Sequence, residues 1–501
     1  MTHQDGSFGS TISEAARRAA DRAPDRVIFQ KGATRMTFAD LDRQASRLAQ
    51  ALTDQGFTRG SRAAVMMPTR AECFVALVGV ARAGGVSEFL MPQYGPVELP
   101  RMLRAAPPGW LLYSAAHAAE ADAIAAEHGP RMWEVDGPEW AALEGRAVGD
   151  HVEGSTPEDD AMILFTSGTT GEPKAIRRSH NSALTHGRLV NDYLGLTPEA
   201  RVGMQLGQEA LAQILCDGGC LILEDFTQPR EWLATIERER ITHIGGVTSL
   251  VQLWLGYPGL GDFDLSSVRL VAVGAMSAPP ELHRQVRERF GLGLMQTYGS
   301  IEAGLLTVNE ATEGERLSAL GLPVRGKALR ILGDDGAPAS VGEIGELVAQ
   351  PTGPDELGFM RGYHGEARSS WVNGWLHTGD LAYQDDAGYL YLVGRVYETI
   401  NVAGHKVYAP EVERALARHP AVAEAAVVGQ PDERRGEIVV AHVLLKPGRQ
   451  VSIAELHGHC GAQLAAHKIP KRILIRDDLP RTATGKIDKK SLARQSELTG
   501  V

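Results

Sequence analysis

Cysteine is scarce in this chain, basic residues are outnumbered, and no apolar run is long enough to cross a bilayer. The four cysteines, Cys73, Cys216, Cys220 and Cys460, are too few and too scattered for a disulfide scaffold. Cys216 and Cys220 have no His or Cys partner at a ligand-like spacing, so buried free thiols are expected there instead of a metal site. Lys and Arg total 51 against 62 Asp and Glu, a formal net charge of −11. Binding a phosphate backbone needs a basic surface, so this balance argues against a nucleic-acid partner. A local groove for a single nucleotide is still compatible with it, because overall charge constrains solubility more than sites. The longest apolar stretch, around Cys73 to Val80, is broken at Arg82 and is far too short to span a membrane. Met1 to Ser10 contains Asp5 and no apolar run, so no signal peptide is expected. The expectation is a soluble cytoplasmic protein without a membrane partner.

A chain of 501 residues exceeds one ordinary hydrophobic core, so two or more domains are expected. Hydrophobic content of 43%, with 23% charged residues, is that of a globular protein, and 56 glycines imply many tight turns. Helical spacing runs over Ser13 to Ala20 and Phe38 to Gln55, where Phe38, Leu41, Ala45, Leu48 and Leu52 recur on one face. Arg62 to Met67 reads as a short buried strand and Arg70 to Ala83 as a helix closed by Gly84 and Gly85. Strand and helix keep alternating through Gly109 to Tyr113, Ala116 to His128, Met162 to Phe165, His243 to Val247 and Leu270 to Val273. This pattern predicts an α/β fold with largely parallel sheet. From Ala328 the texture changes to alternating segments separated by Gly and Asp turns, Leu329 to Leu332, Gly345 to Val348 and Gly388 to Val393, which predicts an antiparallel β region. After Gly394 and Arg395 comes a compact α+β stretch, with a helix near Pro410 to Arg418 and strands at Val422 to Val428 and Ile438 to Leu445. The expected division is therefore a large domain, residues 1–394, and a small one, residues 395–501.

Five segments carry chemistry. Phe165-Thr-Ser-Gly-Thr-Thr-Gly-Glu-Pro-Lys-Ala175 follows an apolar strand. Its glycines let the backbone approach an anion, its hydroxyls and main-chain N–H groups can solvate phosphate oxygens, and Lys174 adds charge. The lysine is misplaced for a GxxxxGK[ST] P-loop. Gln296-Thr-Tyr-Gly-Ser-Ile-Glu302 offers an aromatic face for a flat base and a hard carboxylate, Glu302, for Mg²⁺. In Trp375-Leu-His-Thr-Gly-Asp380-Leu381, the Asp lies in a turn from which it could hold sugar hydroxyls. Gly394-Arg395 stands at the domain joint. Pro480-Arg-Thr-Ala-Thr-Gly-Lys486-Ile487 is a segment near the C-terminus with one lysine. Each alone reads as an ordinary turn, packing contact or solvated charge.

In this order and at these distances the five segments resemble the motif set of the adenylate-forming superfamily, which includes acyl- and aryl-CoA ligases, peptide-synthetase adenylation domains and firefly-type luciferases. The resemblance runs from about Ser13 to Lys490. It implies a mobile C-terminal domain and an acyl-AMP intermediate made from a small-molecule carboxylic acid and ATP. By the same resemblance, Thr166, Ser167, Gly168, Thr169, Thr170, Gly171 and Lys174 face the ATP phosphates. Gly274, Ala275 and Tyr298, bordered by Gln296 and Thr297, form the adenine site. Asp380 and Arg395 hold the ribose, Glu302 the Mg²⁺, and Lys486 the substrate carboxylate and α-phosphate. Candidate acyl-pocket positions are Gln205, Val247, Gly274, Met276, Gln296 and Leu305.

Several positions depart from the family pattern. Ile301 stands where a threonine is usual, which removes a hydroxyl near the α-phosphate. Tyr397 stands two residues after Arg395, where Asp or Lys is usual, and Ala175 replaces a glycine. The stretch Met204 to Leu211 lacks the family's proline–aromatic–histidine cluster, and no Asp is evident there to pair an α-ammonium, so an α-amino acid substrate is not expected. The first reading is acyl transfer to CoA, with Ile400-Asn-Val-Ala-Gly-His-Lys-Val407 resembling the segment that lines a pantetheine channel. Transfer to an amine with formation of an amide is the second, loading of a separate carrier protein the third, and a non-catalytic nucleotide-binding protein the fourth.

Overall fold

The structure is a computed structural model. It describes residues 9–90, 94, 98–146, 154–166, 173–204, 211–274, 278–353, 357–365, 370–481 and 487–498. The chain packs as two compact units: Met1–Leu329 with Val348–Thr378 and Gly388–Leu390, and Arg330–Leu347 with Gly379–Ala387 and Tyr391–Val501.

The first unit holds two large sheets. In the seven-stranded one, Asp160–Thr166, Val86–Phe89, Arg62–Met66, Trp110–Tyr113 and Arg131–Glu134 lie side by side and parallel. Lys174–Ser179 and Gly362–Tyr363 extend it antiparallel beyond Asp160–Thr166. In the nine-stranded sheet, Leu294–Ser300, Leu270–Gly274, His243–Val247, Arg201–Met204, Cys220–Ile222 and Val27–Lys31 are parallel neighbours. Short antiparallel strands close both edges, with Gly304–Asn309 and Leu322–Pro323 at one and Thr34–Thr37 at the other. Parallel strands need crossover helices and are buried on both faces, which is why Ala63 to Met66 reads as an apolar run without alternation and why all four residues of Val86–Phe89, Ser87 and Glu88 included, are buried.

The helices form where the apolar period put them. Phe38–Asp54 buries Phe38, Leu41, Ala45, Leu48 and Leu52. It starts at Thr37, whose hydroxyl accepts from the Asp40 N–H while the Asp40 carboxylate accepts from the Thr37 N–H. Ala71–Arg82 is buried on nearly every side and contacts Phe38–Asp54. Gly79 makes that approach possible, since a Cβ there would lie 2.8 Å from Leu48 Cδ2. Arg82 is fully buried at the end of this helix, paired with Asp42 at 2.6 Å and bonded to Ser13 at 3.0 Å.

The change of texture after Ala328 is met by a β region, the strands Lys327–Leu332, Gly345–Pro351, Trp375–Gln384 and Leu390–Arg395, which share one sheet. The division between the units falls inside each of these strands. The second unit's own sheet runs His405–Tyr408, Thr399–Val402, Gly436–Leu445 and Val422–Asp432, with Arg472–Arg476 parallel to Gly436–Leu445. Ala409–Ala417 and Ile453–Gly461 pack on it through Val412, Leu416, Leu456 and Cys460. The hairpin Val422–Asp432/Gly436–Leu445 extends four residues past the expected strand end at Val428, to the pair Asp432–Gly436. Asp432 Oδ1 accepts from the N–H groups of Arg434 and Arg435 at 3.0 and 2.9 Å, so side-chain capping carries the ladder where apolar alternation stops. Cys73, Cys220 and Cys460 are buried free thiols, with Cys216 half-buried. Among the described residues, no helix is long and apolar enough to cross a membrane.

One buried charge marks the seven-stranded sheet. Glu88, in the strand Val86–Phe89, is fully buried, with Arg62 Nε at 3.1 Å. Burial pushes its carboxyl from the ordinary 4.5 up to about 8, against the pull of Arg62. Between these values the unfolded chain has lost the proton that the folded chain keeps, so stability falls as pH rises through that window. The slope for one proton is about 1.4 kcal/mol per pH unit. Glu88→Gln removes this term. The expected result is a stability gain over the natural chain that is larger at pH 8 than at pH 5, read from urea unfolding; equal differences at the two pH values would contradict it.

Candidate functional site

In parallel sheets, ligands sit beyond the carboxyl ends of the strands. In the nine-stranded sheet Val247 pairs with Gly274, and Val273 with Gln296, so Val247 and Gly274 end their strands beside Gln296 to Tyr298, where the parallel pairing of Leu294–Ser300 stops. Gly274 is tight: a Cβ there would lie 3.0 Å from Thr297 Oγ1. The Thr297 hydroxyl donates to the Val273 carbonyl at 3.3 Å, which fixes one strand end on the other. Tyr298 lies half-buried on an apolar cluster that includes Ile176, Leu306 and Phe359. Leu305 is buried and Val247 is exposed. Gln296 is buried, and its amide is spent on main chain: Oε1 accepts from the Ala278 N–H at 2.5 Å, and Nε2 donates to the carbonyls of Leu317 at 2.8 Å and Ala319 at 3.3 Å. Its side chain therefore braces the segment that follows Gly274. Ala275, Gln205 and Met276 lie outside the described residues.

The glycine-rich segment joins two paired strands. Thr166 is the register partner of Lys174, the last residue of one strand facing the first of the next. Ser167, Gly168, Thr169, Thr170 and Gly171, between them, lie outside the described residues. Lys174 Nζ sits 4.7 Å from the centre of the Tyr363 ring, a cation–π contact that holds its stem without consuming its N–H donors.

Tyr363 belongs to a segment that sequence reasoning passed over, Phe359 to His364, which ties the glycine-rich hairpin to the Glu302 turn. On one side the N–H groups of Arg361 and His364 donate to the carbonyls of Arg177 and Ala175, each within 2.9 Å. On the other, the Met360 N–H donates to the Glu302 carbonyl at 2.7 Å, and the Ser182 hydroxyl to the Phe359 carbonyl at 2.7 Å. The structure thus brings Thr166, Lys174, Tyr298 and Glu302 into one region. The available signal was the glycine–aromatic run Gly358-Phe-Met-Arg-Gly-Tyr363.

Three further side chains around Glu302 were not singled out from sequence. Arg178 is buried, and its Nη2 donates to the Ile301 carbonyl at 2.7 Å. Lys327, also buried, donates from Nζ to the Ala303 carbonyl and lies 4.6 Å from the centre of the Phe359 ring. Burial, and then Arg178, holds its ammonium well below the usual lysine range. His186 is held well below the usual histidine value by burial, then by Arg178 and Lys327, and its Nδ1 has no hydrogen-bond partner among the described residues. The ring is wedged against two glycines: a Cβ on Gly304 (φ +65°) or Gly358 (φ +86°) would come within 2.8 Å of it. Ile301, where the resemblance leads one to expect a threonine, packs its side chain against both neighbouring apolar clusters. The Glu302 carboxylate is half-buried and has no hydrogen-bond or ion-pair partner among the described residues. No group of three His, Cys, Asp or Glu able to hold a metal occurs among them. A single unpaired carboxylate suits Mg²⁺, which keeps its waters and binds through one or two carboxylates plus substrate phosphates.

In the second unit, Arg395 Nε lies 2.7 Å from Asp380 Oδ1, and Asp380 is buried. Asp380, expected in a turn, lies instead inside the strand Trp375–Gln384, after Gly379 (φ +72°), whose N–H donates to Glu346 Oε1 at 3.1 Å. After Arg395 a short 3₁₀ turn, Val396–Glu398, leaves Tyr397 exposed and pairs Glu398 with Lys489 Nζ at 2.6 Å. Ile400 to Val407 is a tight hairpin whose two turn residues, Ala403 and Gly404, have φ of 48° and 85°. Lys486 lies outside the described residues.

Two family models match the chain: AMP-binding enzyme over residues 16–364, and AMP-binding enzyme C-terminal domain over residues 411–486. A feruloyl-CoA synthase from Amycolatopsis sp is 32% identical over 496 residues, covering 95% of this chain and 97% of the relative. A salicyl-AMP ligase / salicyl-S-ArCP synthetase from Mycobacterium tuberculosis is 31% identical over 524 residues, covering 97% and 91%. Among solved structures, an amide bond synthetase from Marinactinospora thermotolerans superposes with a TM-score of 0.86 at 28% identity, covering 97% of this chain and 99% of that one.

The Gln296 brace yields a stability prediction. Gln296→Met keeps the volume and removes the partner of the buried Ala278 N–H and of the partly buried Leu317 carbonyl, while the Ala319 carbonyl keeps Asn309 Nδ2 at 2.9 Å. One unsatisfied buried group costs about 1–3 kcal/mol, and the partly buried carbonyl adds less, so a loss of roughly 1–3 kcal/mol is expected. The urea midpoint of the variant should fall accordingly, and an unchanged midpoint would show that the amide is dispensable.

Proposed function

The chain belongs to the AMP-binding enzyme family, and from that premise we propose that it activates an aromatic carboxylic acid as its acyl-AMP, releases pyrophosphate, and transfers the acyl group to the thiol of CoA. The supporting observation is the joining of the glycine-rich hairpin to the Glu302 turn through Phe359 to His364. An aromatic acid is favoured because the relatives include proteins named for ferulate and salicylate.

Two anions must meet in the first step, since the carboxylate attacks an α-phosphorus already surrounded by negative oxygens. Main-chain N–H groups of residues 167–171, the hydroxyl of Thr166 and the ammonium of Lys174 are assigned to the departing phosphates. Tyr298, with Gly274, Ala275 and Thr297, is assigned to the adenine, with Gln296 bracing that place from behind through its main-chain contacts, and Asp380 with Arg395 to the ribose hydroxyls. Glu302 would hold Mg²⁺, whose chemistry here is to neutralise triphosphate charge. Lys486, in a small C-terminal domain taken as residues 395–501 after a large domain of residues 1–394, is assigned to the carboxylate oxygen and the α-phosphate. Fixed cations and dipoles aimed at developing charge in a water-poor site commonly supply the largest part of such catalysis. Water must then be kept from the mixed anhydride until the thiol arrives.

Transfer to an amine, giving an amide, is the second reading, favoured by the similarity to the amide bond synthetase. A panel of aryl acids with Mg-ATP, scored for pyrophosphate and followed by product masses with CoA or with an amine, separates the two. A CoA thioester supports the first reading and an amide formed without CoA the second. No pyrophosphate from any acid, despite ATP binding, would contradict both. Lys486→Ala should lower pyrophosphate release by two or more orders of magnitude, in line with removal of a group acting mainly on transition-state charge, while the circular dichroism spectrum and ATP affinity stay close to the natural chain's. Formation of acyl-AMP at the natural rate would refute the role given to Lys486.

A further inference from the structure

The turn that carries Glu302 is fixed at three consecutive carbonyls, each by a different part of the fold. Ile301 O accepts from Arg178, Glu302 O from the Met360 N–H, and Ala303 O from Lys327 Nζ. At the far end His186 fills the space that any side chain on Gly304 would need. Two of the three donors are buried cations, and neither Lys327 nor His186 has a carboxylate among the charges acting on it. Burying an ammonium without a counter-ion costs several kcal/mol, and a methionine would fill this apolar place without that cost. Lys327 Nζ makes one hydrogen bond among the described residues, to the residue next to Glu302. Its placement is therefore explained by what it does to that turn.

We infer that Lys327 and Arg178 are positioning residues that hold the Glu302 turn so that its free carboxylate points at the divalent cation of the bound nucleotide. The inference rests on the reading of Glu302 as the Mg²⁺ contact. Neither side chain touches the metal or the nucleotide in this account; each acts through a carbonyl that flanks or precedes the carboxylate. A fixed carboxylate binds a hard cation without first losing backbone freedom, and removing partners that orient a metal ligand commonly weakens metal affinity 10- to 100-fold.

The test compares Lys327→Met, Lys327→Arg, Arg178→Gln and Glu302→Gln with the natural chain. Calorimetry measures ATP affinity with excess Mg²⁺ and with EDTA, and pyrophosphate release is titrated with Mg²⁺ at saturating ATP and acid. Lys327→Met is expected to raise the Mg²⁺ concentration for half-maximal rate about tenfold and to weaken ATP binding in Mg²⁺ only, with the KM for the acid and the affinity in EDTA unchanged. Lys327→Arg, which keeps the charge and a donor, should recover part of the loss, and Arg178→Gln should repeat the Mg²⁺ effect if the methionine variant does not fold. A Lys327→Met protein that melts earlier but keeps the natural Mg²⁺ requirement, while Glu302→Gln raises it, would overturn the positioning role alone. An unchanged requirement in Glu302→Gln would overturn the metal reading and this inference with it.

Discussion

The first unit depends on one short antiparallel splice. Residues Phe359 to His364 leave a distant part of the chain and pair with the strand Lys174–Ser179, while the Met360 N–H closes onto the Glu302 carbonyl. Without that splice the glycine-rich hairpin would hang from the edge of the seven-stranded sheet, and the Glu302 turn would hang from the nine-stranded one. Edge strands offer unpaired N–H and C=O groups that must find partners. Here the partner is a peptide that also bonds to the Glu302 turn of the other sheet, so satisfying an exposed edge and joining the two candidate segments are the same event. Lys174 gains its aromatic support from Tyr363 in the same stretch.

Around this splice the protein concentrates buried charge that a stability-driven design would avoid. Arg178 and Lys327 lie beneath the Glu302 turn, and His186 is pressed between two left-handed glycines. These groups oppose one another electrostatically, so they weaken the folded state unless they serve geometry. Gln296 follows the same logic with neutral groups, three main-chain partners being held by one amide at the carboxyl end of a central strand. The scaffold elsewhere is conventional: apolar parallel strands, capped amphipathic helices, and a compact second unit built on a long hairpin.

Most of the scaffold was legible because it repeats a local rule. The 3.6-residue period of Phe38 to Leu52 and the apolar blocks at His243 to Val247 and Leu270 to Val273 needed no tertiary information to be read. The glycine-rich and Glu302 segments were legible as chemistry, and their order along the chain pointed to the family that the comparisons establish. What escaped was long-range. Nothing local marks Lys327 as buried, for it sits in a strand beginning Lys-Ala-Leu-Arg-Ile-Leu, where the reading of Leu329 to Leu332 left it outside. Arg178 reads as one of two basic residues in Ile-Arg-Arg-Ser, and only the turn brought to it from residue 301 gives it a role. Ile301 read as a loss, whereas in the structure it seals the seam between two apolar clusters. Gln296 read as a pocket amide and acts as a brace, because which way a strand-end side chain faces is set by the pairing register and not by its type.

The account stands on an acyl-AMP formed by attack of a carboxylate oxygen on the α-phosphorus, and isotope transfer tests that bond directly. An acid that supports pyrophosphate release would be labelled with ¹⁸O in its carboxylate and turned over with Mg-ATP and CoA, and the nucleotide product would be weighed. The account predicts AMP carrying one ¹⁸O on its phosphate, left there when the thiol displaces the adenylate. Unlabelled AMP, or ADP with the label in inorganic phosphate, would mean that the carboxylate never joined the α-phosphorus.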